Sequence, residues 1–227
     1  MVKRIYLDIE TLPPDELMRT SITVGMVRKL DRHFVSSERG DDEPCNDVEF
    51  RRLALFAEYG RLLCVGVRLE EEGKQERHGV LGQDKHTGVL HLNERATLRG
   101  FWKLFADFRV QRDVVIGHNV MDFDLPFIYQ RSWVHGIQPS AELCFARYRS
   151  QPLYDTMREW AKWNQKRCIS LRDLAKALQV DAAKLDGMSG DQVYDLFRAG
   201  AHERIVRYCL QDVEVVRAIY RRMTTSE

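Results

Sequence analysis

Two carboxylates, Asp8 and Glu10, stand one residue apart near the start of the sequence. Alternate side chains of a strand point to the same face, so a strand over 2–10 places both acids on one face. The other face then carries the apolar residues Ile5, Leu7 and Ile9. Two acids roughly 6 to 7 Å apart beside a core repel each other and lose hydration unless a cation or a proton intervenes. The pair indicates a divalent-metal site, and a solvated strand end is the alternative.

A third acid of this kind lies near the end of the sequence. The apolar residues of 201–223 recur at spacings of three and four, which predicts a closing helix, and Tyr208 and Asp212 fall on its apolar stripe. A desolvated aspartate needs a partner. That partner is a metal ion, or else an arginine or a cap bond elsewhere in the fold.

The fourth acid comes from the stretch 117–124, where a buried strand passes into a helix. Asp122 and Asp124 are both candidates, and either can instead serve as a helix N-cap. We favour Asp124, because it would lie at the helix start with Phe123 packed inward, whereas Asp122 could remain solvated.

Strands and helices alternate along most of the chain. The predicted strands cover 2–10, 61–69, 76–81, 113–117 and 153–154. The predicted helices cover about 48–59, 94–108, 124–136, 157–163, 171–178, 191–198 and 201–223. An acidic insertion at about 34–50, with six acids and one arginine between 38 and 50, is most simply a solvated, mobile loop.

Composition bounds the class of protein. A chain of 227 residues with 44% hydrophobic residues fits one domain over 1–227. The net charge of +1 neither requires nor excludes a polyanionic partner. Five cysteines without C-x-x-C spacing argue against a disulfide framework or a zinc knuckle and favour reduced, mostly buried thiols. Without a signal region or an apolar run of about 18 residues, we expect a soluble cytoplasmic protein with no membrane partner.

Local charge is more informative than net charge. Residues 143–176 carry eight basic residues against three acids, with Tyr148, Tyr154, Trp160 and Trp163 among them. This composition predicts a groove for single-stranded nucleic acid, although two tryptophans three apart on a helix are more often core. Asp155 is an expected N-cap with an outer-shell role as the alternative, and only its position suggests Lys184 as a substrate contact.

Three groups of residues, in this order, resemble the exonuclease motifs of the DEDD superfamily: Asp8-x-Glu10, Asn119-x-x-x-Phe123-Asp124 and Tyr208-x-x-x-Asp212. The tyrosine resembles that of the tyrosine branch, which includes the proofreading domains of family A and B DNA polymerases. Gly-His-Asn and Tyr-Cys-x-x-Asp look most like stand-alone PolB-like 3′–5′ exonucleases. The general base of the histidine branch would fall at Arg207, which departs from that branch.

The resemblance implies an α/β ribonuclease H-like fold, with a mixed sheet of five principal strands, the first three antiparallel, flanked by helices. It implies two Mg²⁺ or Mn²⁺ ions, roughly 3.5 to 4 Å apart, held by oxygen ligands. The implied metal ligands are Asp8, Glu10, Asp124 and Asp212, and Tyr208 joins them as a catalytic residue that positions water. The implied substrate contacts are Thr11, Leu12, His118, Asn119 and Phe123.

The expected reaction is hydrolysis of single-stranded nucleic acid from its 3′ end to nucleoside 5′-monophosphates, with DNA favoured over RNA. Two alternatives stay open at this point. One is a 3′–5′ exoribonuclease. The other is a non-catalytic nucleic-acid-binding accessory of a polymerase or repair complex, although the presence of all four acids gives no sign of lost catalysis.

Overall fold

A five-stranded sheet forms the centre of the molecule. The structure is a computed structural model and describes residues 2–31, 34, 38–164, 166–180 and 188–225. The strands are β1 (Lys3–Leu12), β2 (Arg61–Glu71), β3 (Arg77–Leu81), β4 (Val114–Gly117) and β5 (Leu153–Asp155). Their order across the sheet is β3-β2-β1-β4-β5. The strand predicted at the N-terminus is therefore central.

The sheet is mixed. β1, β2 and β3 are mutually antiparallel, whereas β4 pairs in parallel with β1 and β5 in parallel with β4. This arrangement, with helices on both faces, confirms the α/β ribonuclease H-like fold that the resemblance implied. β2 pairs along the whole length of β1, whereas β4 pairs only with Arg4, Ile5 and Tyr6, so the end of β1 that carries the acids extends past β4.

The helices connect and cover these strands. They are α1 (Val24–Leu30), α2 (Asp47–Arg52), α3 (Glu94–Lys103), α4 (Asp124–Val134), α5 (Thr156–Trp160), α6 (Leu171–Ala177), α7 (Val193–Arg198) and α8 (His202–Thr224). Short 3₁₀ turns cover Glu16–Ser21, Leu53–Leu55 and Gly190–Gln192.

Several predicted helices are shorter in the structure. The helix predicted over 94–108 ends at Lys103, and the one over 48–59 becomes α2 followed by a 3₁₀ turn. The helix predicted over 157–163 ends at Trp160, because Lys162 and Trp163 adopt left-handed backbone with φ of 48° and 62°. Apolar spacing predicted these helices but not their ends.

The two faces of β1 pack against different helices. Ile5, Leu7 and Ile9 join one core cluster with Phe101 of α3 and Ile128 of α4. On the other face, Tyr6 packs with Val213 and Val216 of α8, and Leu12 packs with Ile205 and Cys209 of the same helix. Asp8 and Glu10 stand two and four residues after Tyr6, so the predicted period of two places the acids on the same face as Tyr6, which α8 covers.

Two glycines permit the close approaches that bring the site together. A Cβ at Gly66 of β2 would lie 2.7 Å from Cys209 Sγ, so this glycine allows α8 to lie directly on the sheet. A Cβ at Gly117 would lie 2.6 Å from Cβ of Val120, so the chain can turn sharply from β4 toward α4. The absence of a side chain at these two glycines therefore allows α8 and the loop before α4 to lie close to the sheet.

The acidic segment is more structured than expected. Arg39 donates to both carboxylate oxygens of Glu49, each at 2.6 Å. Asn46 and Glu49 form a capping box at the start of α2, and Arg28 pairs with Asp41. The described part, 38–50, is therefore held by ion pairs and ends in a helix, which corrects the prediction of a simple solvated loop.

None of the helices in the described ranges combines the length and apolarity that a bilayer span requires. No disulfide joins the cysteines, all five of which lie in described positions, and three of them are buried.

Candidate active site

Asp8 and Glu10 lie at the carboxyl-terminal end of β1 and face α8. Carboxylate oxygens of both residues and the Sγ of Cys209 lie within 4.8 Å of one another. A β-bulge follows at once, since Glu10 pairs with Cys64 and Thr11 with Leu62. Bulges are common next to active sites. This one lies between Glu10 and Thr11, directly after the second acid.

Asp124 is the first residue of α4 and meets β1 from the side. Its Oδ1 accepts a hydrogen bond from the backbone N–H of Ile9 at 3.1 Å, between the two β1 acids. Asp122 has a different partner, since its carboxylate accepts a hydrogen bond from the guanidinium of Arg158 at 2.6 Å. Of the two candidates, Asp124 is the one that the fold brings beside Asp8 and Glu10.

Asp212 and Tyr208 come from α8, one turn apart. The negative charge of Asp212 acts on the phenol of Tyr208 and raises its pKa, and Asp212 is only 8% exposed. Charges that act on Asp212 include the guanidinium of Arg172. Arg172 donates at 3.2 Å to the carbonyl oxygen of Met188. The five residues predicted to be catalytic, Asp8, Glu10, Asp124, Tyr208 and Asp212, therefore meet in one place.

Burial and mutual repulsion dominate the electrostatics of this cluster. Burial raises the pKa of Asp8 and of Glu10 well above ordinary values, and the carboxylates of Asp124 and Asp212 raise the pKa of Asp8 further. Burial also raises the pKa of Asp124 to about 7 and that of Asp212 to about 6. Without a compensating positive charge, four carboxylates cannot all ionise here at low cost.

Tyr208 is held as a neutral phenol. Burial raises its pKa first, and the negative charges of Asp212, Glu10 and Asp8 raise it further. A phenol in this setting donates or accepts a hydrogen bond but does not remove a proton near neutral pH.

Glu10 provides the observation that tests whether a cation fits. Its Oε1 is buried and has no hydrogen-bond partner, although nearly all buried polar atoms in proteins have one. A buried carboxylate oxygen with no donor, directed into a cluster of acids, is what an oxygen ligand of a hard cation requires. The residues of the site thus fit one or more divalent ions.

A cavity of about 580 Å³ opens over the cluster. Four residues of the acidic site line this cavity: Asp8, Glu10, Tyr208 and Asp212. Val48 and Leu55, from α2 and the 3₁₀ turn after it, line the cavity and are 63% and 43% exposed. Arg52 also lines the cavity. The lining of the cavity therefore combines the acidic residues with apolar side chains and an arginine.

The predicted substrate contacts divide into two groups. Thr11 and Phe123 line the cavity, and the ring of Phe123 packs at a tilt against that of Phe127, with centroids 5.8 Å apart. Leu12 does not reach the cavity, because it is completely buried in the core after the β-bulge. Leu12 is therefore not placed to contact substrate in this cavity, contrary to what the resemblance implied.

His118 and Asn119 also face inward. The ring nitrogens of His118 contact Thr156 Oγ1 and the carbonyl oxygen of Ile169, each at 2.9 Å, and burial lowers its pKa. Asn119 has a left-handed φ of 63°, and its backbone N–H donates to Asp155. These two residues hold the loop between β4 and α4. Lys184 lies outside the described residues.

Two residues support the site: Cys209, which was not assigned from the sequence, and Asp155, which was expected to cap a helix. Cys209 Sγ lies 3.7 Å from the carbonyl oxygen and 3.8 Å from Oδ2 of Asp8, within reach of a thiol hydrogen bond. Asp155 caps α5 as predicted, and it also accepts from the backbone N–H groups of Asn119 and Met121, each at 3.0 Å. The Tyr-Cys-x-x-Asp spacing was a signal for Cys209, whereas nothing in the sequence joined Asp155 to that loop.

Fold and site together define an exonuclease-like α/β domain with a buried carboxylate cluster. The chain belongs to the family of predicted 3′–5′ exonucleases related to the exonuclease domain of PolB, whose model matches residues 59–227. The first pair of acids precedes the matched range.

A family B DNA polymerase from the hyperthermophilic archaeon Pyrobaculum calidifontis has a similar fold, with a TM-score of 0.60 and 15% sequence identity. The similarity covers 98% of this chain and 24% of the polymerase chain, so this chain spans about a quarter of the polymerase's length. A search among curated proteins found no match.

Proposed function

We propose that the chain is a divalent-metal-dependent 3′–5′ exonuclease that hydrolyses single-stranded nucleic acid, DNA in preference to RNA. The observation that carries the proposal is the convergence of four acids from β1, α4 and α8 around a carboxylate oxygen of Glu10 that has no partner. The family supports exonuclease activity. The preference for DNA is supported by the similarity in fold to a DNA polymerase.

Asp8, Glu10, Asp124 and Asp212 are the proposed ligands of two Mg²⁺ or Mn²⁺ ions. When bound, such ions lower the pKa of a coordinated water and stabilise negative charge on the leaving oxygen. The raised pKa values of the acids follow from burial and mutual repulsion, both of which a bound cation offsets. The chain supplies an enclosed, negatively charged cavity that selects a hard cation.

Tyr208 is the proposed positioning group for the attacking water. Its phenol lies among the acids and stays protonated, because burial and their negative charges raise its pKa, so it orients the water by hydrogen bonding and does not act as its base. In the reaction, the water oxygen bonds to phosphorus while the bond between phosphorus and the 3′ oxygen breaks. The products are a nucleoside 5′-monophosphate and a strand with a new 3′ hydroxyl.

The cavity provides a place for the terminal nucleoside. The ring of Phe123 can contact a base, and the exposed side chains of Val48 and Leu55 add apolar area to the same cavity. Thr11 and Arg52 are polar groups within reach of sugar or phosphate. The cavity volume of about 580 Å³ is within the usual range of small-ligand sites.

We further propose that residues 1–227 act as one exonuclease domain, since β1 from the N-terminal part of the chain is central in the sheet and α8 from the C-terminal part packs on it. The proposed partners are free 3′ ends, delivered in solution or by a polymerase or repair complex.

The proposal is tested with a 5′-labelled single-stranded DNA oligonucleotide and a matched RNA. Wild-type protein should shorten the DNA stepwise from its 3′ end with Mn²⁺ or Mg²⁺ and leave it intact with EDTA. Asp8→Asn should lose at least about 10³-fold of the rate. Glu214→Gln is the matched control, because Glu214 pairs with Arg68 on the outer side of α8.

The outcomes separate the alternatives. A ladder that is absent with DNA but present with RNA would replace the DNA preference by exoribonuclease activity. No ladder with either nucleic acid, or full activity in Asp8→Asn, would refute the proposed function.

A further inference from the structure

A second cavity, of about 230 Å³, lies beside the loop that joins β4 to α4. It is lined by Met121, Asp122, Phe145, Arg147, Arg158 and Trp163. Phe123, the next residue of the same loop, lines the active-site cavity instead. The two cavities therefore meet at one short stretch of backbone, and a polymer in the first can continue across that stretch into the second.

Aromatic rings are unusually exposed around this second cavity. Tyr148 is 74% exposed, and its ring packs on that of Trp163 with centroids 5.4 Å apart. Both residues adopt left-handed backbone, with φ of 63° and 62°, which bulky side chains rarely do. Phe145 is 37% exposed and packs edge-on against Tyr129. Large rings are normally buried, so this arrangement presents ring faces to solvent.

Positive charge surrounds these rings. Exposed basic side chains in the same stretch of chain are Arg147, Arg149, Lys162, Lys166 and Arg167. The acid of the cavity, Asp122, is neutralised by Arg158, whose guanidinium donates to it at 2.6 Å. Asp155 is buried and bonded to backbone N–H groups. The surface is therefore complementary to a polyanion, unlike the acidic cluster a few residues away.

We propose that this aromatic–basic surface, made of Phe145, Arg147, Tyr148, Arg158 and Trp163, binds the part of a single-stranded nucleic acid that lies upstream of the scissile linkage. Basic side chains contact its phosphates, and Tyr148 and Phe145 stack on its bases. Stacking needs unpaired base faces, so the surface favours single strands over duplexes. This inference rests on the proposed function, and it adds a subsite that lengthens the bound strand beyond the terminal nucleotide.

The test is a comparison of oligonucleotide lengths. Fluorescence anisotropy in CaCl₂ gives the Kd of 5′-fluorescein-labelled (dT)₁₂ and (dT)₃, and a gel confirms that each oligonucleotide stays intact. Wild-type protein should bind (dT)₁₂ at least about tenfold more tightly than (dT)₃. Tyr148→Ala should weaken (dT)₁₂ binding about tenfold, as expected for one lost base stack, and should change (dT)₃ binding much less. Tyr148→Phe, which keeps the ring, should restore the wild-type ratio.

Charge is tested in the same assay. Arg147→Gln should reduce the slope of log Kd against log salt for (dT)₁₂ by about 0.7, the value for one phosphate contact on a single strand. Leu92→Ala is the control, because Leu92 is also an exposed apolar residue, at 44%, and lines neither cavity. This control should bind both lengths as the wild type does.

Failure of this inference is distinguishable from failure of the proposed function. An equal Kd for (dT)₁₂ and (dT)₃ in the wild type, or equal losses in Tyr148→Ala and Leu92→Ala, would overturn the aromatic–basic surface even if the protein shortens DNA. Length-dependent binding that requires Tyr148, without any hydrolysis, would support the surface and refute only the exonuclease.

Discussion

Replacing Asp212 by asparagine should make the metal-free protein more stable, although the change removes a proposed metal ligand. Asp212 is 8% exposed and shares its surroundings with other carboxylates. Burial raises its pKa from 3.8 to about 6. Because the folded-state pKa lies above the unfolded value, the folded protein binds more protons there, and the stability of the metal-free protein falls as pH rises from about 4 to about 6.

The magnitude follows from this pKa. A rise from 3.8 to about 6 corresponds to about 3 kcal/mol of lost stability above pH 7. Asparagine removes the charge and keeps an oxygen that can accept from Tyr208, but its amide N–H₂ is also desolvated, so the expected net gain is about 2 kcal/mol. For a chain of 227 residues this corresponds to a rise in Tm of about 5 °C.

The assay is thermal unfolding in EDTA at pH 8 and at pH 5, and again at pH 8 with Mn²⁺. Asp212→Asn should unfold at a higher temperature than the wild type at pH 8 in EDTA, and the difference should shrink at pH 5. With Mn²⁺ the wild type should gain stability and the variant should gain less. The control is Asp195→Asn, since Asp195 lines the same cavity but bonds to Arg51, which lowers its pKa.

The control should not become more stable in EDTA. A lower Tm for Asp212→Asn at pH 8 in EDTA would refute the reasoning, because it would mean that Asp212 serves a structural ion pair or cap, as an aspartate on an apolar stripe commonly does.

The remaining predictions concern the residues around the four acids. Tyr208→Phe should reduce the rate of hydrolysis about 10²-fold while keeping the Tm gain on addition of Mn²⁺, since the tyrosine positions water and the acids bind the ion; an unchanged rate would contradict this role. Gly66→Ala should place a Cβ 2.7 Å from Cys209 Sγ and displace α8, at a cost of about 2 kcal/mol in urea unfolding; unchanged stability and activity would show that this contact relaxes freely. Asp155→Ala should remove the acceptor of four backbone N–H groups and lower stability by about 3 kcal/mol, whereas Asp155→Asn should lose less because it keeps one carbonyl oxygen.

Much of the site could be predicted because its residues follow regular periods. The alternation of β1 predicted that Asp8 and Glu10 share a face, and the helical spacing of α8 predicted that Tyr208 and Asp212 face the core. These periods are geometric properties of strands and helices, and the fold preserves them. Asp124 was favoured over Asp122 for its place at a helix start, and the hydrogen bond to Ile9 gives that choice a structural reason.

Other features depended on tertiary contacts that a single sequence does not reveal. Leu12 was expected at the substrate, but it lies beyond Glu10 on the face covered by α8 and is completely buried against Ile205 and Cys209. His118 was expected to contact the substrate, but its two ring nitrogens contact Thr156 and Ile169, which are far away in sequence. The wall formed by Val48 and Leu55 was missed because apolar residues in a short acidic segment look like ordinary surface residues.

The central claim is that the acids of β1, α4 and α8 bind divalent ions, and the most direct test counts those ions. Isothermal titration with Mn²⁺, in the presence of thymidine 5′-monophosphate as the reaction product, gives the number bound per chain for the wild type and for Glu10→Gln. We predict two ions for the wild type and fewer for Glu10→Gln, whose amide cannot replace the unpartnered Oε1 as a charged ligand. No bound Mn²⁺ in the wild type, or the same number and affinity in both proteins, would contradict the account.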